Sequence, residues 1–131
     1  MNKKIIIFGG TGGLGSQLVS KLEVEGYNLA GANADSFLHK LSDTSNREAA
    51  RKVMKVNTVG VVNVVAAALP HMRSNQYGRI ILTSSVLTKK PVMGTGVYGS
   101  SKTFIKGLVM TCGLENASKN VTCNALQLGY F

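Results

Sequence analysis

The chain of 131 residues has the length of one ordinary domain, so several independently folded domains are not expected. Hydrophobic residues make up 44% and charged residues 16% of it, which excludes a disordered or fibrous chain. The formal net charge of +9 favours attraction to anions, whether phosphates, acidic proteins or nucleic acid, without choosing among them.

The first predicted element is a buried strand from Lys3 to Phe8, which is short, rich in isoleucine and bounded by glycine. A helix with leucines at helical spacing follows a run of glycines and ends near Gly26. The segment from Tyr27 to Ala30 is predicted to be a second short strand, and residues 31–36 are predicted to be a loop.

Helices and strands alternate in the rest of the chain. A long helix is predicted after the N-cap candidates at 43–46 and ends near Pro70, because its valines recur at helical spacing. A strand over Arg79–Thr83, a loop over Ser84–Gly96, a helix over Tyr98–Leu114 and a strand over Val121–Leu126 follow. This alternation predicts a doubly wound parallel sheet with helices on both faces.

The glycine run Gly9-Gly10-Thr11-Gly12-Gly13-Leu14-Gly15 lies between the first predicted strand and the first predicted helix. In that setting glycines permit a tight turn, a close approach of a pyrophosphate to the backbone and close packing of helix on strand. The N-terminus of the helix supplies N–H groups and a partial positive charge for the phosphates. The run therefore predicts a dinucleotide site in a Rossmann-type fold, and the alternative is a flexible glycine-rich turn.

The segment Tyr98-Gly99-Ser100-Ser101-Lys102 places a phenol and an ammonium four residues apart, on one face of the predicted helix. A free tyrosine titrates near pH ~10, too high for efficient acid–base work at neutral pH, and a lysine cation nearby lowers that value. Ser85 lies just beyond a predicted strand, where open α/β sheets bind their ligands. A tyrosine and a lysine at this spacing usually have no function. The glycine run and Ser85 together favour a catalytic site.

These segments, taken in order, resemble the short-chain dehydrogenase/reductase family, and most closely its 3-oxoacyl-carrier-protein reductases. The matching segments are Gly9-x-x-x-Gly13-x-Gly15, Asn28–Gly31, Val56-Asn57-Thr58, Gly78–Ile81 leading into Ser84-Ser85, Tyr98-x-x-x-Lys102 and Asn120–Ala125. The glycine run also suits the extended branch of the family, which modifies sugar nucleotides.

The resemblance implies reversible hydride transfer between NAD or NADP and a carbonyl/alcohol pair. Tyr98 would be the general acid/base, Lys102 would bind the nicotinamide ribose and lower the pKa of the phenol, and Ser85 would orient the substrate. Asn57 matches a helix asparagine whose backbone holds a water in a proton relay, and its alternative is a polar residue tolerated in a helix. Cofactor contacts would come from Gly9, Thr11, Gly12, Gly13, Leu14, Gly15, Asn28, Ala30, Gly31, Tyr98, Lys102 and Gly129.

The chain departs from the family pattern in extent. Two family segments overlap within residues 27–30, as if an internal piece with the second and third strands had been removed. The family continues beyond Phe131 into a substrate loop and a last strand. We therefore expect a single, partial domain over residues 1–131, whose first strand is left as an exposed edge. The chain would be part of a longer protein, a truncated form that folds only as an oligomer, or a degenerate relative without cofactor.

Partners and location are predicted more coarsely. The substrate would be a small carbonyl or alcohol, free or linked to an acidic carrier, and the two long helices would join copies into a homodimer or homotetramer. No nucleic-acid motif accompanies the charge, and neither a membrane span nor a secretory signal is predicted. Cys112 and Cys123 lack metal-ligand spacing, so reduced thiols, no metal and a cytoplasmic location are expected. The rival functions are a catalytically silent binding or scaffold protein and a sugar-nucleotide epimerase or dehydratase.

Overall fold

The structure, a computed structural model, describes residues 4–8, 28–32 and 47–129, with side chains from 47 onward. In chain order the strands and α-helices are β1 (Lys4–Phe8), β2 (Asn28–Ala32), α1 (Arg47–Met54), α2 (Val61–Ser74), β3 (Gly78–Ser85), α3 (Gly96–Asn116) and β4 (Val121–Leu128). A π-helical turn, Lys55–Gly60, joins α1 to α2, and 3-10 turns follow β3 at Val86–Thr88 and α3 at Ala117–Lys119. The predicted glycine loop, first helix and N-cap candidates lie outside the described residues.

The four described strands form one parallel sheet in the order β2-β1-β3-β4. The chain winds from β1 outward to β2, returns past β1 to β3 and continues to β4, which makes the sheet doubly wound and Rossmann-type. The expected exposed edge at the first strand is wrong, because β1 pairs with β2 on one side and with β3 on the other. All four carboxyl ends lie at the same edge of the sheet, where open α/β folds bind ligands.

Two strands extend into segments that the sequence predicted to be loop. Gly31 and Ala32 continue β2, opposite Ile7 and Phe8 of β1. Ser84 and Ser85 continue β3, opposite Gln127 and Leu128, so β4 also runs two residues beyond its predicted end. Small and polar residues favour loops in isolation, but a neighbouring strand in register overrides that preference. The extension places Ser85 within the sheet rather than after it.

The long helix predicted from the valine spacing is confirmed, with the π-helical turn as an interruption. Its buried side chains are Val53, Asn57, Thr58, Val61, Val65 and Met72. Pro70 lies inside α2 rather than at its end. The described helix from Arg47 to Ser74 is long and apolar enough, by length and composition, to cross a membrane, a test that core helices of soluble proteins also pass.

The core lies between the sheet and the helices α2 and α3. Ile105, Val109 and Cys112 of α3 belong to one buried cluster with Val61, Val65 and Met72 of the long helix, Ile80 and Leu82 of β3, and Val121 and Cys123 of β4. Each fully buried aliphatic side chain contributes about 1.5–3 kcal/mol to folding. Gly78 is required beside this core, since a Cβ there would lie 2.5 Å from the sulfur of Met72. The packing fixes the position of α3 over the ends of β3 and β4.

Both cysteines are buried free thiols. Burial raises the pKa of Cys112 and raises that of Cys123 to about 12. They lie on α3 and β4 in the same buried cluster, and Cys112 is distant along α3 from Tyr98. A thiol that stays protonated is a poor nucleophile and a poor metal ligand, so this pair acts as apolar packing.

Candidate active site

Ser85 is the last residue of β3 and is buried at 7% exposure. Its Oγ accepts a hydrogen bond from the backbone N–H of Leu87 at 3.2 Å, and its carbonyl accepts one from Thr88 Oγ1 at 2.9 Å. These two bonds cap the 3-10 turn and fix the direction of the strand end. A hydroxyl that accepts one bond still carries its own proton, so Ser85 can donate a hydrogen bond to a ligand oxygen.

Tyr98 and Lys102 lie one turn apart near the start of α3, as the sequence predicted. Lys102 Nζ lies 5.7 Å from the centroid of the Tyr98 ring, within the range of a cation–π contact. The same nitrogen donates a hydrogen bond to the carbonyl of Thr83 at 3.1 Å. Burial lowers the pKa of Lys102, because desolvation disfavours its charged form.

Two hydrogen bonds dock Lys102 on the end of β3. Its Nζ donates to the Thr83 carbonyl, and its own carbonyl accepts from Ser84 Oγ at 3.1 Å. Thr83 and Ser84 are both buried, so these bonds form away from water. Neither Thr83 nor Ser84 was predicted to be a site element. The available signal was their position directly before Ser85, with Thr83 as the last residue of the predicted strand and Ser84 as the first residue of the predicted loop.

Asn57 lies in the π-helical turn, buried at 3% exposure. Its Nδ2 donates to Ser101 Oγ at 3.0 Å, and Ser101 Oγ in turn donates to the Tyr98 carbonyl at 2.7 Å. The structure therefore connects Asn57 with Tyr98 through a residue that the sequence analysis did not select. A polar residue four positions before Ile105, on the apolar stripe of α3, was the signal for Ser101.

For the remaining predicted cofactor residues the structure gives either a position in the sheet or at its edge, or no position at all. Gly9, Thr11, Gly12, Gly13, Leu14 and Gly15 lie outside it. In β2, Asn28 is opposite Lys4 at the amino end of the sheet, Ala30 is central, and Gly31 is opposite Ile7 near the carboxyl end. Gly129 directly follows Leu128, the residue paired with Ser85, and is exposed at that edge. Their contacts with a cofactor stay predictions.

Two cavities, of about 240 and 370 Å³, border α3. Both are lined by Thr88 and Thr103, and neither is lined by Ser85, Tyr98 or Lys102. Within residues 4–8, 28–32 and 47–129, no three metal-ligating side chains cluster. The candidate site residues near the start of α3 and the end of β3 carry two hydroxyl groups, of Tyr98 and Ser85, and one ammonium, of Lys102.

The amino-acid sequence was compared with those of known proteins and matches one family. A family model described as short chain dehydrogenase matches residues 27–131. An acetoacetyl-CoA reductase of Rhizobium meliloti (strain 1021) is 33% identical over 103 residues, which cover 79% of this chain and 41% of that protein. The chain spans less than half the length of the curated relatives that it matches.

Solved structures share the fold. NAD+-bound xylitol dehydrogenase is similar with a TM-score of 0.84 and 20% identity, over 98% of this chain and 70% of that one. A short chain dehydrogenase from Burkholderia cenocepacia J2315 in complex with NADP is similar with a TM-score of 0.82 and 19% identity, over 98% of this chain and 72% of that one. These similarities show the Rossmann-type fold.

Proposed function

This chain belongs to the short-chain dehydrogenase family, and on that premise we propose that it takes part in reversible hydride transfer between NAD or NADP and a carbonyl/alcohol pair. One observation carries the proposal: the Lys102 ammonium, held on the Thr83 carbonyl of β3, lies 5.7 Å from the centroid of the Tyr98 ring, and Ser85 is the last residue of the same strand. That combination suits proton transfer at a carbonyl oxygen.

Each side chain has a separate part in this proposal. On reduction, Tyr98 Oη donates a proton to the carbonyl oxygen, and on oxidation it accepts the proton back. Ser85 Oγ donates a hydrogen bond to the same oxygen and orients it. Lys102 stabilises the phenolate that remains, because an opposite charge nearby favours the ionised form. Asn57 belongs to the relay that returns a proton to the site.

The described donors fit the nicotinamide ribose of a dinucleotide. Lys102 Nζ has three N–H donors, of which one is directed to the Thr83 carbonyl, so donors remain for ribose hydroxyls. The bound nicotinamide would supply or accept the hydride, and the protein would supply alignment and the proton. The glycine run at 9–15 would hold the pyrophosphate, with Asn28, Ala30 and Gly31 toward the adenosine and Gly129 beside the nicotinamide.

The substrate in this proposal is a small carbonyl or alcohol, free or carrier-linked, and the location is the cytoplasm. The relationship to an acetoacetyl-CoA reductase supports an acyl thioester as the first substrate to test. We also propose a homodimer or homotetramer, because the two long helices expose large apolar side chains. These are Val59, Val62, Phe104, Met110 and Leu114, with exposed fractions of 38–82%.

The proposal is tested by comparing Tyr98→Phe with Tyr77→Phe. The Arg79 guanidinium lies over the Tyr77 ring, with 4.4 Å between its carbon and the centroid of the ring. Tyr77 is at the amino end of β3 and away from the site. We expect Tyr98→Phe to lower acetoacetyl-CoA reduction by about 10²–10⁴-fold, since it removes the proton donor. Tyr77→Phe is expected to keep the rate within about twofold, as surface changes usually do.

Cofactor binding is measured on the same proteins by NAD(P)H fluorescence. The wild type and both variants are expected to bind, because the phenol hydroxyl is needed for the proton rather than for the dinucleotide. The proposal would be contradicted if the wild type did not bind NAD(P)H and if Tyr98→Phe left ketone reduction unchanged. That result would favour a silent binding protein. Binding of a nucleoside-diphosphate sugar without net cofactor turnover would favour an epimerase instead.

A further inference from the structure

Ser101 occupies a position with no solvent exposure between Tyr98 and Lys102. Its hydroxyl accepts a hydrogen bond from Asn57 Nδ2 at 3.0 Å and donates one to the Tyr98 carbonyl at 2.7 Å. A hydroxyl is the smallest side-chain group that both donates and accepts. Ser101 therefore joins the π-helical turn to the turn of α3 that carries the phenol.

The first turn of α3 needs such an anchor. Thr95 is at the N-cap but makes no side-chain capping bond, since its hydroxyl donates to the Val92 carbonyl at 2.6 Å and accepts from the Val92 N–H. An uncapped helix end frays, and Tyr98 lies within the first turn. Lys102 is held independently by β3, through the Thr83 carbonyl and Ser84 Oγ. The distance between the Tyr98 phenol and the Lys102 ammonium therefore depends on the separate contacts that hold these two residues.

The other end of the bridge is rigid. Asn57 is buried within a π-helical turn, whose wider ring interrupts the long helix, and Thr58 Oγ1 donates to the Met54 carbonyl at the start of that turn. Such turns recur at functional sites. A buried amide must find partners, and Asn57 Nδ2 finds one in Ser101 Oγ. The bridge thus ties the start of α3 to an element that is itself fixed in the core.

We propose that Ser101 is a positioning residue that, through Asn57, holds the Tyr98 turn of α3 so that the phenol stays next to Lys102. The proposal rests on the function proposed above, in which Tyr98 exchanges a proton with the substrate. Ser101 touches neither substrate nor cofactor and acts only through Tyr98 and Asn57. Its loss is expected to alter proton transfer while cofactor binding persists.

The charges around Tyr98 determine the expected direction of any pH effect. Lys102, on the same helix, is the cation whose contact with the Tyr98 ring the structure shows. Thr83, Ser85 and Asn57, from the packed β3 and π-helical turn, carry no charge. The cations on those two segments are Lys55, which is exposed, and Arg79, which is half-buried at the opposite, amino end of β3. Lys89 and Lys90, which follow the 3-10 turn after β3, are exposed to solvent. A looser Tyr98 turn weakens the stabilisation of the phenolate by Lys102 and moves phenol ionisation to higher pH.

The test compares Ser101→Ala, Ser101→Thr and Thr103→Ala in the 131-residue protein. Thr103 is a matched control, because its Oγ1 donates to the Gly99 carbonyl at 2.9 Å in the same turn of α3, on the side away from Tyr98. We expect Ser101→Ala to lower kcat about tenfold with the KM for NAD(P)H within twofold, as misplacement of a reacting group does. The pH limb of alcohol oxidation should move to higher pH. Ser101→Thr should restore most of kcat, and Thr103→Ala should match wild type.

A structural role alone gives a different result. If Ser101→Ala lowers the melting temperature but leaves kcat and the pH profile as in wild type, the proposal is overturned. If Ser101→Ala does not fold, Ser101→Cys takes its place, since a thiol has nearly the same volume and only weak hydrogen-bonding capacity. An unchanged kcat and pH profile in Ser101→Cys would equally overturn the proposal.

A second readout keeps this test separate from the proposed function. The chain has four tyrosines, and the ultraviolet titration of wild type minus that of Tyr98→Phe isolates the Tyr98 phenol. We expect the Tyr98 midpoint to rise in Ser101→Ala and to stay in place in Thr103→Ala. If the wild type reduces no carbonyl, the proposed function fails while this shift can still be measured. A midpoint that is unchanged in Ser101→Ala overturns the role of Ser101 whatever the activity.

Discussion

The two ends of α3 are built alike but differ in chemistry. At each end a buried asparagine connects α3 with the long helix: Asn57 reaches Ser101 near the start, and Asn116 accepts from Arg73 Nε at the finish. Asn116 has no exposed surface, and its Nδ2 also donates to the Cys112 carbonyl. Each asparagine therefore satisfies buried polar groups where two helices meet.

The difference lies in what surrounds each asparagine. Near the start of α3 lie the Tyr98 phenol and the Lys102 ammonium, which stay partly exposed. Lys102 is hydrogen-bonded to β3, the strand that ends at Ser85. At the finish the reactive groups are Cys112 and Cys123, both buried and both with a raised pKa. The comparison shows that burial with hydrogen bonding stabilises both ends. The candidate site differs from the core in that Tyr98 and Lys102 are accessible to solvent, whereas Cys112 and Cys123 are buried.

The largest expected effect is on catalysis at the first end. Lys102→Met keeps the length of the side chain and removes the ammonium, so the Tyr98 phenolate loses its stabilising cation. We expect a loss of about 100-fold in kcat/KM for carbonyl reduction, within the range of general acid–base catalysis. Lys106→Met is the control, because Lys106 is an exposed lysine of the same helix. Equal rates for the two variants would remove the functional distinction between this end and the rest of α3.

The next effect is on stability at the second end. Asn116→Ala removes the side-chain hydrogen bonds to Arg73 Nε and to the Cys112 carbonyl, and at about 0.5–1.5 kcal/mol for each bond we expect the free energy of unfolding to fall by about 1–3 kcal/mol. Asn63→Ala, at an exposed position of α2, should change it by less than about 0.5 kcal/mol. Denaturant unfolding measures both. Loss of carbonyl reduction in folded Asn116→Ala would show that the two ends are coupled.

The smallest expected effect is a pH dependence of opposite sign at the two ends. Burial lowers the pKa of Lys102 in the folded state from its ordinary value of 10.5. Between the lowered pKa and 10.5 the unfolded chain therefore binds more protons than the folded chain, and the free energy of unfolding rises with pH. The pKa of Cys123 is raised to about 12, so the unfolded chain loses its proton first, and stability falls as pH rises above 9.0.

Variants separate the two contributions to this pH dependence. One proton contributes at most about 1.4 kcal/mol per pH unit. The free energy of unfolding of wild type minus that of Lys102→Met should rise with pH. The free energy of unfolding of wild type minus that of Cys123→Ala should fall with pH. The same sign in both differences would contradict the assignment of burial as the cause at one of the two ends.

The sequence predicted the parts of the fold that depend on local patterns. Valine spacing predicted the long helix, and the four-residue spacing of Tyr98 and Lys102 predicted that they share one face of a helix. It failed where another strand decides the outcome: Ser84 and Ser85 lie within β3 because β4 pairs with them, and β1 is interior because β2 pairs with it. Neither pairing leaves a trace in the residues of a single segment.

The site was predictable residue by residue but not as a network. Tyr98, Lys102 and Ser85 follow from chemistry and spacing, whereas Ser101 contributes through one bond to Asn57, which lies in another helix. The docking of Lys102 on the Thr83 carbonyl is a backbone contact, which any residue at that position would offer. Such contacts depend on the tertiary arrangement, and composition carries no signal for them.

The parallel pairing of the sheet also has a consequence for folding. No two strands that pair in the order β2-β1-β3-β4 are joined by a short turn, so each pairing closes a long stretch of chain before it gains its contacts. Such high-contact-order sheets fold slowly compared with hairpins and helical bundles. The hydrogen bond from Lys102 to the Thr83 carbonyl forms only when α3 has docked on β3. The site therefore forms together with the sheet, and no short fragment of the chain contains it.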